Sequence, residues 1–342
     1  MRIADRNVGG APLVIAEVGN NHLGDPDLAH RTLDAAADAG VDAVKFQMFQ
    51  ADELVASAEP VLKHVPDNRF ATQRERFRQM MLAPEVMASL AEHARRRGVI
   101  FLCTPFDTRS ADILDPLVPA FKIASGDATN YPLLEHVARK DKPMLVSTGL
   151  CTQEEVDALV AHLPAGRSIL LHCVGAYPTP DEDASLAMIP FYAARYALPV
   201  GYSDHTPDLL AACAAVGLGA VAVEKHFILD RDIPGGDRAL SITGPEMARL
   251  VSDLKRVAAM RGHTPRSVQA SETYGRSKLR RSAYTRRAIR KGEMLTLQDI
   301  ALLRPEIEGA HSIAALTRAA GVVALEDLAA EAPLTSANSR LV

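Results

Sequence analysis

From residue 12 to about residue 262 the chain repeats one unit. A short β-branched apolar run is followed by a polar turn, then by an Ala- or Leu-rich stretch with helical spacing. The runs are Leu13–Val18, Val41–Gln47, Val99–Thr104, Ala120–Ala124, Pro143–Ser147, Ser168–Cys173, Leu198–Tyr202 and Ala220–Lys225. Continuous apolar runs of this length suit parallel strands covered on both faces. The stretches between them carry helix signals. Asp25-Pro26 starts one, with proline at an early position, and Gly40 ends it. Pro84 starts another, with Met87, Leu90 and Ala94 as its apolar stripe. Arg95-Arg96-Arg97-Gly98 closes that helix with cations and a glycine. Pro245 opens the last one, which Gly262 closes.

Eight such units over about 250 residues are what a (β/α)8 TIM barrel requires. A doubly wound open sheet also alternates strand and helix, but no GxGxxG follows the first run, which removes support for its nucleotide-binding version. After about residue 263 the composition shifts. Residues 264–280 are polar and read as a linker. Short elements follow: Ala283–Ile289, the turn Arg290-Lys291-Gly292-Glu293, Met294–Thr296, Gln298–Leu303 and Arg304-Pro305. They predict a small β-rich module over residues 281–342, with too small a core to be very stable alone.

Composition narrows the function. The 342 residues are 48% hydrophobic and 23% charged, ordinary for a globular protein. A net charge of -4 argues against a general nucleic-acid binder. The basic stretch from Arg276 to Arg290 has little aromatic interleaving and reads as a solvated face or as inter-subunit ion pairs. The start lacks the apolar run of a signal peptide, and no stretch is long enough to span a bilayer. Cys103, Cys151, Cys173 and Cys213 show no CxxC spacing and read as reduced thiols. The expectation is a cytoplasmic protein without membrane or nucleic-acid partners.

The ends of the predicted strands carry the chemistry. In a TIM barrel the active site forms there. Glu17, Lys45, Lys122, Glu224, Lys225 and His226 fall inside or at the ends of apolar runs, where charge is costly unless paired or functional. A structural layer of ion pairs in the barrel interior is the plain alternative. Lys45 and Lys122, with the hydroxyls of Thr104, Ser125, Ser147 and Ser203, suit a small anion bearing phosphate and carboxylate. Ser125-Gly126 and Thr148-Gly149 add turns where backbone N–H groups can approach it. Schiff-base chemistry at a buried lysine stays open. His205 and His226 end consecutive runs, a pairing that suits a divalent transition-metal ion with open positions for water and substrate. Glu17 is the candidate general acid/base. Asp237, after Pro234-Gly235-Gly236, reads either as a turn residue or as a carboxylate orienting water or a sugar hydroxyl.

These segments, in this order, resemble the sialic acid synthase family. The resemblance rests on Ile15-Ala16-Glu17-Val18-Gly19-Asn20-Asn21-His22, Lys45-Phe46-Gln47, Thr104-Pro105-Phe106, Lys122-Ile123-Ala124-Ser125-Gly126 and Ser147-Thr148-Gly149. It continues through Tyr177-Pro178-Thr179-Pro180, Ser203-Asp204-His205-Thr206 and Glu224-Lys225-His226-Phe227. Lys291-Gly292-Glu293 and Arg304-Pro305 resemble the family's antifreeze-like (SAF) domain. The resemblance implies a homodimer in which the SAF domain of one chain caps the other's barrel. It implies a transferase that condenses phosphoenolpyruvate with an open-chain aldose, of the N-acylated mannosamine type, to give a nonulosonic or related 2-keto-3-deoxy acid and phosphate. It places phosphoenolpyruvate on Lys45, Thr104, Lys122, Ser125, Ser147 and Ser203, and a divalent ion, commonly Mn²⁺, on His205 and His226. Glu17, Asp237 and Tyr177 would handle protons and water. Gln47, Phe106, Asp127, Tyr177 and Arg304 would meet the sugar. Asp127 stands where the family usually has Glu, Gly175 where it often has Asn, and Glu306-Ile307-Glu308-Gly309-Ala310-His311 where it has a glycine-rich stretch. A metal-dependent or Schiff-base aldolase using pyruvate, and a non-catalytic sugar-binding protein, are the alternatives.

Overall fold

The computed structural model describes residues 1–62, 69–234, 237–262 and 264–342, which form two compact units, Met1–Gly262 and His263–Val342. In the first, eight parallel strands close into a barrel: β1 (Leu13–Gly19), β2 (Ala43–Met48), β3 (Ile100–Pro105), β4 (Phe121–Ile123), β5 (Met144–Ser147), β6 (Ser168–Cys173), β7 (Val200–Asp204) and β8 (Ala222–His226). Each pairs with its neighbour in sequence, and β8 closes on β1. The open-sheet alternative is thereby excluded.

Helices follow the strands as their caps dictate. Helix Pro26–Asp38 begins where the Asp25 carboxylate accepts from the N–H groups of Asp27 and Leu28. Helix Pro84–Arg97 ends on Gly98 in the left-handed region. Helix Gly244–Arg261 starts one residue before Pro245, under a capping box between Thr243 and Glu246.

The period of two along each strand places the site. One alternation, including Val14, Val44, Phe101, Phe121, Val146, Leu170 and Val223, packs outward against the helices. The other fills the barrel interior with Leu13, Ile15, Ala43, Ile100, Leu102, Leu145, Ile169, Leu171 and Ala222, joined by Ile3 from an N-terminal hairpin (Arg2–Ile3 with Arg6–Asn7). Followed toward the C-terminal ends, that interior alternation becomes polar: Glu17 on β1, Lys45 and Gln47 on β2, Thr104 on β3, Lys122 on β4, Ser147 on β5, Ser203 on β7, Glu224 and His226 on β8. The barrel is thus apolar at the bottom and charged at the mouth.

The second unit pairs Ser282–Thr285 with Ile300–Leu303 and sets Met294–Leu295, Val322–Ala324 and Ser339–Leu341 in a second sheet. Its core, around Ile289, Leu295, Ile300, Leu316 and Leu334, is small. The stretch expected to be a linker carries a short helix, Thr273–Leu279. The basic stretch is engaged locally: Arg287 pairs with Glu293 and Asp299, and Arg280 with Glu306.

Candidate active site

The mouth of the barrel opens into a cavity of about 280 Å³. Of the residues singled out from sequence, Glu17, Lys45, Gln47, Thr104, Phe106, Lys122, Ser125, Ser147, Tyr177, Ser203, His205, His226 and Asp237 all line it. A larger cleft of about 520 Å³, around Ala4, Glu92, Ile100 and Pro119, lies at the starts of β3 and β4 and lacks such a convergence.

The charged groups alternate in sign. Lys45 Nζ lies 2.7 Å from Glu17 Oε2 and 3.6 Å from Glu224 Oε2; Glu224 Oε1 lies 3.6 Å from Lys122 Nζ. Every member is buried, so each ion depends on its neighbours. Burial raises Glu17 to about 7, against the opposing pull of Lys45. Burial alone would push Lys45 down, but Glu17 and Glu224 outweigh it and hold the ammonium protonated. In Lys122 burial wins and the pKa falls. Burial would raise Glu224, but Lys122 and Lys45 hold it down, ionised.

Hydroxyls surround this chain. Lys45 donates to Thr104 Oγ1 at 3.1 Å, and Ser203 donates to Glu224 Oε1 at 3.0 Å. The Gly149 N–H donates to Ser125 Oγ at 3.1 Å, and a Cβ at Gly149 would come within 2.8 Å of that oxygen. Among the described residues, buried Ser147 Oγ has no partner. An unpaired donor in the cavity that two lysines also line is what an incoming oxyanion satisfies.

Gly19 holds the acid/base end open. A bulge in the β1–β2 register separates Glu17 from Gly19, whose φ is +54°. A Cβ there would lie 3.2 Å from Glu17 Oε1, 3.3 Å from Asp237 Oδ2 and 3.3 Å from Gln47 Nε2. Gln47 Nε2 donates to Glu17 Oε1 at 2.7 Å, and Asn20 donates to Gln47 at 3.3 Å. Gly235 and Gly236, which precede Asp237 in the sequence, lie outside the described residues.

His205 and His226 meet as expected of ends of adjacent strands, with ring centroids 5.3 Å apart. His205 Nδ1 contacts the Val174 carbonyl at 2.7 Å, so that nitrogen carries the proton and Nε2 is left for a ligand. Burial would push His205 down, but Cys173 and the Val174 carbonyl raise it. His226 is driven well below its ordinary value by burial and then by His205 and the lysines, so it is neutral. Among the described residues its Nδ1 has no hydrogen-bond partner; it lies 3.5 Å from Asp237 Oδ2. Two imidazoles, one with a buried ring nitrogen left without a hydrogen-bond partner among the described residues, fit a borderline divalent ion. Among the described residues no cluster of three or more His, Cys, Asp or Glu could hold one, so the other positions would fall to water and substrate. Tyr177 packs its ring 4.2 Å from that of His205.

Asp127 does not line the cavity; it sits in a 3-10 turn, accepting from Asn130 Nδ2 at 3.0 Å. Arg304 is exposed on the second unit. Lys225, grouped with the other strand charges from sequence, points outward instead and pairs with Asp204 at 2.9 Å, both fully buried. A Cβ at Gly175 would meet Leu150 Cδ2 at 2.5 Å, so Leu150 fills the space of an absent side chain. Sequence reasoning missed Gln73 and Arg76, both buried and lining the cavity from helix Gln73–Met80. Their helical spacing with Phe77 and Met80 was the available signal.

A closed (β/α)8 barrel with a buried acid/base and alternating charges at its C-terminal mouth is the site of an enzyme acting on an anionic substrate. The chain belongs to the NeuB family, which it matches over residues 32–266, and residues 280–338 match the SAF domain. It is 38% identical to N,N'-diacetyllegionaminic acid synthase of Legionella pneumophila, covering 85% of each chain. It is 32% identical to mouse N-acetylneuraminate-9-phosphate synthase, over 86% of this chain and 84% of that one. The crystal structure of N-acetylneuraminic acid synthetase from Leptospira borgpetersenii superposes with a TM-score of 0.73 at 31% identity, covering 80% of this chain and 94% of that one. No helix among the described residues is long and apolar enough to cross a membrane.

Proposed function

We propose that this enzyme condenses phosphoenolpyruvate with the aldehyde of an open-chain acylamino aldose, giving a nonulosonic acid and phosphate. The observation that carries the reading is the chain Glu17–Lys45–Glu224–Lys122 set among the hydroxyls of Thr104, Ser125, Ser147 and Ser203. Lys45 and Lys122 neutralise the carboxylate and phosphate of the donor, and the hydroxyls fix their orientation. C3 of the enol attacks the aldehyde carbon, whose oxygen takes a proton. Water adds at C2 of the donor unit, loses a proton, and phosphate leaves with the bridging oxygen. Glu17, near 7, is poised to hold or move these protons. Gln47 fixes its carboxyl, and Asp237 faces it across Gly19. A divalent ion, Mn²⁺ being our choice, would be held by His205 and His226 and would polarise the aldehyde carbonyl.

The reading includes a homodimer in which Arg304 of one chain reaches the acceptor in the other. The support is the SAF resemblance and the exposure of Arg304. The test is phosphate release from phosphoenolpyruvate against a panel of aldoses with Mn²⁺, followed by product mass. Release that requires an acylamino aldose supports the reading; release without any aldose refutes it.

One observation favours a second reading. Lys122 is lowered by burial, donates to the Ile123 carbonyl at 3.1 Å and keeps Glu224 no nearer than 3.6 Å, as a Schiff-base lysine would be prepared. A pyruvate aldolase of that kind would be trapped by borohydride with pyruvate, whereas the synthase would not.

A further inference from the structure

Helix Gln73–Met80 is not part of the barrel's strand–helix repeat, yet it delivers Gln73 and Arg76 to the same cavity. Gln73 is 2% exposed, and among the described residues neither its Oε1 nor its Nε2 has a hydrogen-bond partner. A buried primary amide with both functions unmet is costly in the empty protein and is satisfied by a bound molecule offering both an acceptor and a donor. One helical turn on, Phe77 also lines the cavity. Its ring lies 5.1 Å from Phe49, which lies 6.1 Å from Phe106, so the cavity that Gln73 lines also has an aromatic edge at Phe77 and Phe106.

We infer that Gln73 is a specificity-determining residue that binds an acylamino group of the acceptor sugar. This rests on the function proposed above. An acylamino group offers a carbonyl acceptor, an N–H donor and an apolar acyl methyl. Because its carbonyl and N–H point to opposite sides, Gln73 meets one of them, and a neighbouring sugar hydroxyl satisfies the other half of the amide. The acyl methyl lies on the Phe77–Phe106 side, where a bare hydroxyl would leave the aromatic edge unfilled. Arg76, three residues along the same face, adds donors to the acyl carbonyl.

The test compares sugars that differ only by acylamino against hydroxyl. N-acetylmannosamine and mannose form the C2 pair; 2,4-diacetamido-2,4,6-trideoxymannose and 2-acetamido-2,6-dideoxymannose form the C4 pair. For wild type, Gln73→Leu and Gln73→Glu, the kcat/KM ratio within each pair is measured, together with direct binding of each sugar by calorimetry. The expected result is that in one pair the preference for the acylamino sugar falls about tenfold to a hundredfold in Gln73→Leu, and falls also in Gln73→Glu, which keeps the shape but lacks the N–H donors. If Gln73→Leu does not fold, Gln73→Glu decides. Unchanged ratios in both pairs overturn the inference. If the wild type binds acylamino sugars with that preference but never releases phosphate, the proposed function fails while Gln73's role stands. If it binds none of the four sugars, the role of Gln73 fails.

Discussion

Glu17 and Lys45 meet at 2.7 Å on adjacent barrel strands, both buried, and opposite each other in the β1–β2 register. The register makes the contact unavoidable, since both side chains point into the barrel. It leaves Glu17 with one oxygen on Lys45 and the other on Gln47, at a pKa near 7 rather than 4.5.

That shift sets the pH dependence. Because the folded state favours the protonated Glu17, its contribution to stability is fully present below 4.5 and is lost as pH climbs through about 7. Glu17→Gln is expected to flatten the change in Tm between those values and to lower kcat about a hundredfold to ten-thousandfold. It should also remove the limb near pH 7 from the rate profile. A Gln variant that keeps that limb would assign it to another group.

Gly19 is expected to tolerate no side chain. Gly19→Ala must adopt φ +54° and presses on Glu17, Gln47 and Asp237. The cost should be about 1–2 kcal/mol in urea unfolding, and kcat should fall at least tenfold through displaced reacting groups. Loss of stability alone, with kcat intact, would show that the three groups do not act together.

His226→Ala is expected to weaken Mn²⁺ binding at least tenfold by calorimetry and to abolish metal-dependent activity while the fold remains. Wild-type metal affinity in that variant would remove the assignment of His205 and His226.

The outward-facing pair behaves differently. Lys225→Ala leaves the Asp204 carboxylate, which also accepts from the Thr206 N–H and hydroxyl, without its cation in a fully buried position. The expected loss is about 3–5 kcal/mol in denaturant unfolding. Lys225→Met with Asp204→Asn should recover much of it.

The barrel was legible because each buried strand is a continuous apolar run bounded by turns, and strand starts and ends fell within about two residues of the expected ones. The mouth was legible because charge inside such a run is costly, which drew attention to Glu17, Lys45, Lys122 and His226. The same rule overreached at Lys225, since an apolar run does not reveal which alternation faces inward. Gln73 and Arg76 escaped because Gln73-Arg74-Glu75-Arg76-Phe77-Arg78-Gln79-Met80 is so polar that it reads as a solvated helix. Asp127 follows Ser125-Gly126 at a strand end, but the 3-10 turn there carries its side chain to Asn130, and it does not line the cavity.

The central claim, carbon–carbon bond formation from phosphoenolpyruvate itself, is tested most directly by labelling the oxygen that bridges C2 and phosphorus with ¹⁸O. With the acylamino aldose that supports turnover, the account predicts that the released phosphate carries the label, read by mass spectrometry. Unlabelled phosphate would mean cleavage at phosphorus, with pyruvate as the true donor, and would contradict the account.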